Sequence, residues 1–460
     1  MRTINLALFF ISDIFLLVLL VSSIVEREKR ASFISFAGLL FNSLLWLIFI
    51  RFDHLSPVKE INLVAVIGLF IFAFISLIPF FPPGADRDIS QVEKYDERDN
   101  MFARNNLQFH PEPAAAYYSA HPEKKEIDKK IRDKPELGEP GSTYYDHYGS
   151  PVMDAAFSYL ARTRFAASGE ISKKKKKITN EEMTRAIRDI ARLYGAVDVG
   201  FTELRPYHLY SRSGRHKEGW GEVIKNKHRS AVVFVVKMDV DMINEAPSLP
   251  AAIEASHQYV EAAKIAHITA EYIRSFGYDA RGHTDANYQV LCVPLAVDSG
   301  IGVLGRLGIF MHPVYGPCVR LSVVTTDLKL EETKKKKNHR IEHFCRVCKK
   351  CADNCPSKSI PHDEELSSRG FRHWSIDQEK CFSLWKTFGT DCAVCIRVCP
   401  YTKPDTPVHR LVRFYISRNS LNQRIALFFD DLLYGRKQAI PGRNPDLFRT
   451  KDLMRAKIQL

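Results

Sequence analysis

At 460 residues the chain is too long for one ordinary domain and long enough for two or three, each with a sizeable core. Hydrophobic residues make up 45% and charged residues 26%, which excludes wholesale disorder. A net charge of +13 suits nucleic acid, a membrane surface or an acidic partner, and by itself selects none of them.

Three apolar stretches come first, at residues 4–25, 31–50 and 61–81. Each has about the 20 residues that a helix needs to cross a bilayer core, so residues 1–82 read as a three-helix transmembrane anchor in the lipid bilayer. A signal peptide would be one shorter segment, and only Arg2, not a twin-arginine pair, precedes the first stretch. Arg27, Lys29, Arg30, Arg87, Lys94 and Arg98 lie on the side of the soluble part, against Arg2, Arg51 and Lys59 on the other. The excess of basic residues predicts a multi-pass cell-membrane protein whose soluble part faces the cytoplasm. Asp13 sits inside the first stretch. A charge there either faces a partner helix or relays a proton beside a quinone.

Residues 83–150 are rich in Pro, charge and Tyr and read as linker and irregular wrapping. Residues 151–330 read as the main α/β body. Within it, the lysine run 173–177 is a solvated loop. Thr179-Asn180-Glu181-Glu182 opens a helix with a capping residue and an acidic first turn, and Gly195 stops it. The apolar run 231–236 reads as a strand buried on both faces.

Residues 249–276 read as a long helix ended by Gly277. Ala252, Ala255, Ala262, Ala266 and Ala270 form a stripe that also holds Tyr259. By pattern alone, Tyr259 is either a core tyrosine or a side chain projecting into whatever the alanines admit. The run Gly300-Ile301-Gly302-Val303-Leu304-Gly305 matches a dinucleotide-binding fingerprint. Gly308, Pro313, Gly316 and Pro317 leave little room for the helix such a site needs, so the glycines instead permit close backbone approach. Residues 319–326 read as a strand with Leu321 and Val323 on one face and Arg320 and Ser322 on the other. An arginine placed there calls for an anion or an acidic partner.

Cysteine spacing carries the strongest signal. Cys345, Cys348, Cys351 and Cys355-Pro356 follow the two-cluster ferredoxin pattern, and Cys381, Cys392, Cys395 and Cys399-Pro400 repeat it with an insertion after Cys381. The fourth cysteine of each set crosses over. Cluster one is then held by Cys345, Cys348, Cys351 and Cys399, and cluster two by Cys355, Cys381, Cys392 and Cys395, giving two [4Fe-4S] clusters in a ferredoxin-like domain over 331–410. Zinc sites more usually use separated Cys-x2-Cys pairs. Cys292 and Cys318 remain as buried thiols. Residues 411–460 are expected to pack on the core.

With these motifs in order, the sequence resembles the reductive dehalogenases, corrinoid and iron–sulfur enzymes that remove halide from organohalides. The resemblance runs over about 182–400. It rests on Ala-Arg-Leu-Tyr-Gly-Ala-Val-Asp-Val-Gly at 191–200, Ile-Arg-Ser-Phe-Gly-Tyr at 273–278, Gly300–Gly308, Tyr315-Gly316-Pro317-x-Val319-Arg320, Thr326-Asp327-Leu328 and both cysteine sets. It implies a nitroreductase-like α/β corrinoid-binding domain followed by the ferredoxin-like domain, with cobalamin or a related corrinoid as cofactor. It also implies Tyr259 as the catalytic proton donor, Arg320 as the basic residue that lowers its pKa, and Asn287 as a pocket residue. The reduced corrinoid would attack an organohalide substrate with electrons drawn from the clusters. Quinol, ferredoxin or flavodoxin would be the electron donor, and no nucleic acid is involved on this reading.

The chain departs from many relatives in carrying apolar helices of its own, and in Lys334–Lys337, which reads as a solvated loop or a dock for an acidic donor. Two alternatives stay open. One is a membrane-bound iron–sulfur electron-transfer protein without corrinoid. The other is an epoxyqueuosine reductase-like enzyme acting on tRNA.

Overall fold

The computed structural model describes residues 2–52, 56–81, 92–285, 287–333, 339–363, 366–368, 371–442 and 444. Two compact units divide the chain: Met1–Gly84 with Lys403–Gln438, and Ala85–Thr402 with Ala439–Leu460.

The first unit opens with α1 (Arg2–Val25), α2 (Lys29–Arg51) and α3 (Ser56–Leu77). Leu6–Val25 and Lys29–Arg51 are long and apolar enough to cross a membrane, with mean hydropathies of 2.6 and 2.2. The third expected span differs. Its helix begins with the polar turn Ser56-Pro57-Val58-Lys59-Glu60 and ends before Pro79, leaving the apolar stretch Val64–Leu77. That falls short of the roughly 20 residues a full span needs. Among the described residues, two helices and not three meet the requirement.

Asp13 does not face lipid. Asn42 Nδ2 donates to Asp13 Oδ1 at 2.7 Å, and Ser43 Oγ donates to Asp13 Oδ2 at 2.7 Å, both from α2. Such a clamp holds two spans in register. Asp13→Asn keeps an acceptor for Asn42, so the thermal stability of the chain is expected to change little.

In the second unit, residues 101–132 are largely helical where irregular wrapping was expected, while 133–149 form the turns and irregular chain that the sequence suggested. The helices are α4 (Met101–Asn106), α5 (Pro111–Ala120) and α6 (Pro122–Arg132). Proline at the first turn of α5 and of α6 supplies the start signal. Their anchor is the buried Arg104, which bonds Asp128 at 2.6 Å and Glu379 at 2.7 Å.

The body follows. After α7 (Ser150–Thr163), α8 (Asn180–Leu193) is opened by a reciprocal capping box between Thr179 and Glu182. Next come β1 (Asp198–Glu203), β2 (Ser230–Lys237), α9 (Val240–Asn244) and α10 (Leu249–Ser275). Then follow β3 (Ala280–His283), α11 (Cys292–Asp298), β4 (Val303–Leu304), β5 (Phe310–Met311) and β6 (Val319–Thr326).

Four of these strands form one sheet in the order β1-β2-β6-β3. The helix–sheet–helix layering is that expected of the α/β class, but every strand pair is antiparallel. Central strand β2 is buried on both faces, as its sequence requires. Val232, Phe234 and Val236 pack with Ile265, Ala266 and Ala270 of α10, while Ala231, Val233 and Val235 pack with Leu295 and Ala296 of α11. Each fully buried Val or Phe contributes about 1.5–3 kcal/mol. The alanine stripe of α10 is therefore core, cut small so that the helix lies close on the sheet.

The lysine run 173–177 lies mostly exposed at the C-terminal end of α10. Lys175 stands over Tyr278 and Lys176 over Phe276 at 4.2 and 4.7 Å, where the negative end of the helix dipole favours cations. Lys334–Lys337 lies outside the described residues.

The cysteine-rich segment contains α12 (His339–Cys348), α13 (Lys350–Asp353), β7 (Leu366–Ser368), β8 (Phe371–His373), α14 (Gln378–Phe388) and α15 (Val394–Arg397). Residues 411–460 do not pack as one segment on the core. The helices α16 (Pro407–Ile416) and α17 (Ser420–Tyr434) belong to the unit of α1–α3. The chain past Ala439 rejoins the body, where Tyr144 Oη donates to Pro441 O at 2.5 Å and Asn444 Oδ1 accepts from Leu249 N at 2.9 Å.

Candidate functional site

The cysteine segment folds as an internal repeat. Lys349 and Ala393 take left-handed backbone at φ 55° and 51°, each just before a one-turn helix, α13 or α15. Each thereby turns a Cys-x2-Cys pair inward: Cys348 with Cys351, and Cys392 with Cys395. Cys345, Cys348, Cys351 and Cys399 lie near enough to oppose one another's ionisation. Cys355, Cys381, Cys392 and Cys395 form the second such set.

Burial first, and then the neighbouring thiols, pushes Cys381 and Cys392 up to about 12. Four such groups can ionise together only against concentrated positive charge, which iron supplies. Among the described residues no His, Cys, Asp or Glu group converges tightly enough to hold a single metal ion. Ser359 N also donates to Cys355 Sγ at 3.3 Å, the kind of hydrogen bond that tunes such a centre.

Arg306, the residue after the glycine run, is fully buried and ties that run to the first thiol set. Its guanidinium donates to Cys345 O at 3.0 Å and to Pro361 O and Asp363 O at 2.9 Å, and stacks on Trp374 at 4.7 Å. The glycines serve the same packing. A Cβ at Gly308, whose φ is 76°, would stand 2.7 Å from Ile376. Close approach between chain segments, not phosphate binding, explains the motif.

Tyr259 and Arg320 are brought together. Arg320 extends from β6 over the Tyr259 ring at 5.0 Å, and its Nη2 bonds Asp391 Oδ2 at 2.9 Å. Asp391 immediately precedes Cys392, so one ion pair links the arginine to a cysteine loop. Both side chains lie deep in the body, where Arg320 keeps 14% and Asp391 19% of its surface. Arg320 Nε and Asp391 Oδ1 are buried without a hydrogen-bond partner. They are held ready for a polar guest.

Burial pushes the Tyr259 pKa up, and the neighbouring Arg320 opposes that without reversing it. The expected downward shift is thus corrected. In this enclosure desolvation outweighs the arginine, and Tyr259 keeps its proton. Tyr288 beside it is pushed well up for the same reason.

Asn287 goes elsewhere. Its Oδ1 accepts from Arg281 at 2.7 Å and its Nδ2 donates to Arg164 O at 2.8 Å, so its amide clamps a loop. Cys292 and Cys318 are desolvated thiols, each pushed up to about 12.

A cavity of about 500 Å³ opens beside α11. Its walls are mostly apolar, with Val293, Val297, Leu304, Trp374 and Ile376, and Tyr207 and Asp298 give polar points. His208, fully buried, bonds Asp298 at 2.9 Å, and Tyr207 donates to the same carboxylate. The Trp374 indole N–H is buried without a partner.

A family model for a 4Fe-4S dicluster domain matches residues 344–403. The tetrachloroethene reductive dehalogenase of Desulfitobacterium hafniense is 33% identical over 205 residues, which cover 42% of this chain and 37% of that protein. The enzyme of the same name from Sulfurospirillum multivorans is 29% identical over 294 residues, 56% of this chain and 58% of its own. A solved catabolic reductive dehalogenase, NpRdhA in complex with 3-bromo-4-hydroxybenzoic acid, superposes with a TM-score of 0.64 at 20% identity. It covers 80% of this chain and 51% of its own. The chain thus has a family-level match to reductive dehalogenase oxidoreductases and shares their fold, while spanning less than two thirds of each of these proteins.

Proposed function

We propose that the chain is a membrane-anchored reductive dehalogenase that removes halide from an organohalide in a corrinoid-dependent reaction. The carrying observation is the Tyr259–Arg320–Asp391 constellation, joined by one peptide bond to the loop of Cys392. Cys345, Cys348, Cys351 and Cys399 would hold one [4Fe-4S] cluster, and Cys355, Cys381, Cys392 and Cys395 the other. Quinol, ferredoxin or flavodoxin would feed them. The two apolar helices α1 and α2 would anchor the body on the cytoplasmic face.

A corrinoid, when bound, supplies the low-potential chemistry that opens the carbon–halogen bond. The protein's own part is proton delivery. Tyr259 holds a proton at Oη and gives it to the carbanion that develops as halide leaves. Arg320 then stands beside the tyrosinate and stabilises it, while Asp391 keeps the guanidinium over the ring.

Because the Tyr259 pKa is raised, the phenol stays protonated through neutral pH. This limb of the rate profile is expected to be flat there. It should fall only as pH rises past the usual tyrosine value near 10. A fall centred near neutrality in single-turnover rates would assign the proton to another group. The direct test is metal content and turnover after reconstitution with cobalamin. About eight irons and one cobalt per chain, with halide release, would support the reading. Eight irons without cobalt would leave a membrane electron carrier.

A further inference from the structure

The first unit holds a feature that dehalogenation does not use. The helices α16 and α17 pair with each other yet leave large apolar side chains bare. Leu411 and Phe414 on α16 are 54% and 46% exposed, and Leu421, Phe428, Phe429 and Leu432 on α17 are 45%, 65%, 51% and 39% exposed. On α17 the spacing of these four, with Ile425 between them, is that of one helical stripe. A water-soluble surface does not normally carry such a continuous patch.

What covers it follows from where the pair is fixed. Arg30 Nε, at the start of α2, donates to Leu432 O at 2.9 Å. Glu26, just past the end of α1, pairs with His409 at 3.0 Å. Asn419 Nδ2 donates to Ile78 O at 3.1 Å and Asn422 Nδ2 to Ser76 O at 2.9 Å, satisfying carbonyls at the end of α3. Phe80 N donates to Arg418 O at 3.0 Å, and Ser420 N to Phe80 O at 3.2 Å. All three helices meet the pair at their ends, α1 and α2 at the turn that joins them. For helices that span a bilayer, such a turn lies at the boundary between acyl chains and water.

Charge agrees with this placement. Residues 403–438 carry seven Lys or Arg against three Asp and no Glu. Arg410 and Arg424 are exposed. An apolar stripe beside a basic face, at low overall hydrophobicity, is the chemistry of a helix lying in the headgroup layer of an anionic membrane.

We propose that α16 and α17 lie in the plane of the membrane interface, with their apolar stripe in the acyl boundary and their arginines among anionic headgroups. The pair acts as a collar that fixes the depth of the membrane helices. This rests on the reading that α1 and α2 span the bilayer.

The test uses the full holo chain in vesicles of phosphatidylcholine and phosphatidylglycerol, with bromine placed near either the glycerol end or the terminal end of the acyl chains. Phe428→Trp adds a reporter on the stripe, and Leu421→Trp serves as a second should the first misfold. An amphipathic helix sits about 5–10 Å below the headgroups, so about half of the added emission should be lost to shallow bromine and less to deep bromine. Trp46, native to α2, reports separately on the spans. No loss of the added emission while Trp46 is quenched would overturn the collar and leave the anchor standing. An unquenched Trp46 would overturn the anchor, and the collar with it. A blue-shifted added emission that bromine does not quench would mean that a second copy covers the stripe, which also overturns the proposal.

Discussion

Tyr259→Phe is expected to lower dehalogenation turnover at least about 10²-fold while iron and cobalt contents stay unchanged, because it removes one hydroxyl that delivers a proton in the rate-determining region of the reaction. The ring remains, so its contact with Phe157 at 6.0 Å and the guanidinium stacked at 5.0 Å are kept. Folding should therefore be intact, and the loss should fall on kcat rather than on KM. Full turnover with both cofactors bound would remove Tyr259 from the chemistry and shift the role to Tyr288. Arg320→Met should give a smaller loss, since tyrosinate would form without its counter-charge, and should move the high-pH decline to higher pH, because the arginine lowers the Tyr259 pKa.

The second large effect is structural. Arg306→Leu should cost about 3 kcal/mol, because the buried Cys345 carbonyl loses a charged donor and the part-buried carbonyls of Pro361 and Asp363 lose theirs with it. For a body of this size that corresponds to a fall in Tm of roughly 10 °C. Iron should be lost from the first thiol set before the second, since Cys345 is the cysteine whose carbonyl Arg306 holds. Arg306→Lys should rescue only part of this, as one ammonium cannot span carbonyls that a planar fork reaches together. Thermal melting followed at the cluster absorption band, with iron counted in parallel, would decide. An unchanged melt would show that the carbonyls find other donors.

The difference in legibility between these residues is instructive. The iron–sulfur segment was readable because cysteine spacing encodes local geometry, and a 4Fe-4S dicluster model matches residues 344–403. The strand at 231–236 and the capped helix at Thr179 were readable for the same reason, since periodicity and caps are local. Asp391 was not. Its function depends on Arg320, 71 positions away in sequence, and no local pattern marks that pairing. Arg306 was hidden beside a glycine motif read only for close backbone approach, since nothing local marks the carbonyls it reaches. The helices in 92–150 escaped because they are short, begin at proline and draw stability from Arg104 and its distant partner Glu379, not from their own periodicity. The direction of the Tyr259 pKa also lay beyond the sequence. An arginine nearby suggests a fall, and only the depth of the enclosure shows that burial wins.

The return of the chain after α17 has a practical corollary for producing a soluble form. Deleting the N-terminal helices alone would strip α16 and α17 of the groups that satisfy Asn419, Asn422 and His409, and would leave their bare stripes in water. Such a truncation should aggregate. The chain leaves the body after Thr402 and re-enters it at Ala439, whose carbonyl accepts from Arg397 Nη1 at 3.3 Å. A short splice from Thr402 to Ala439, combined with removal of the first 84 residues, therefore excises every apolar surface of the first unit in two cuts. The residues that close the far side of the body, Pro441 and Asn444, stay attached.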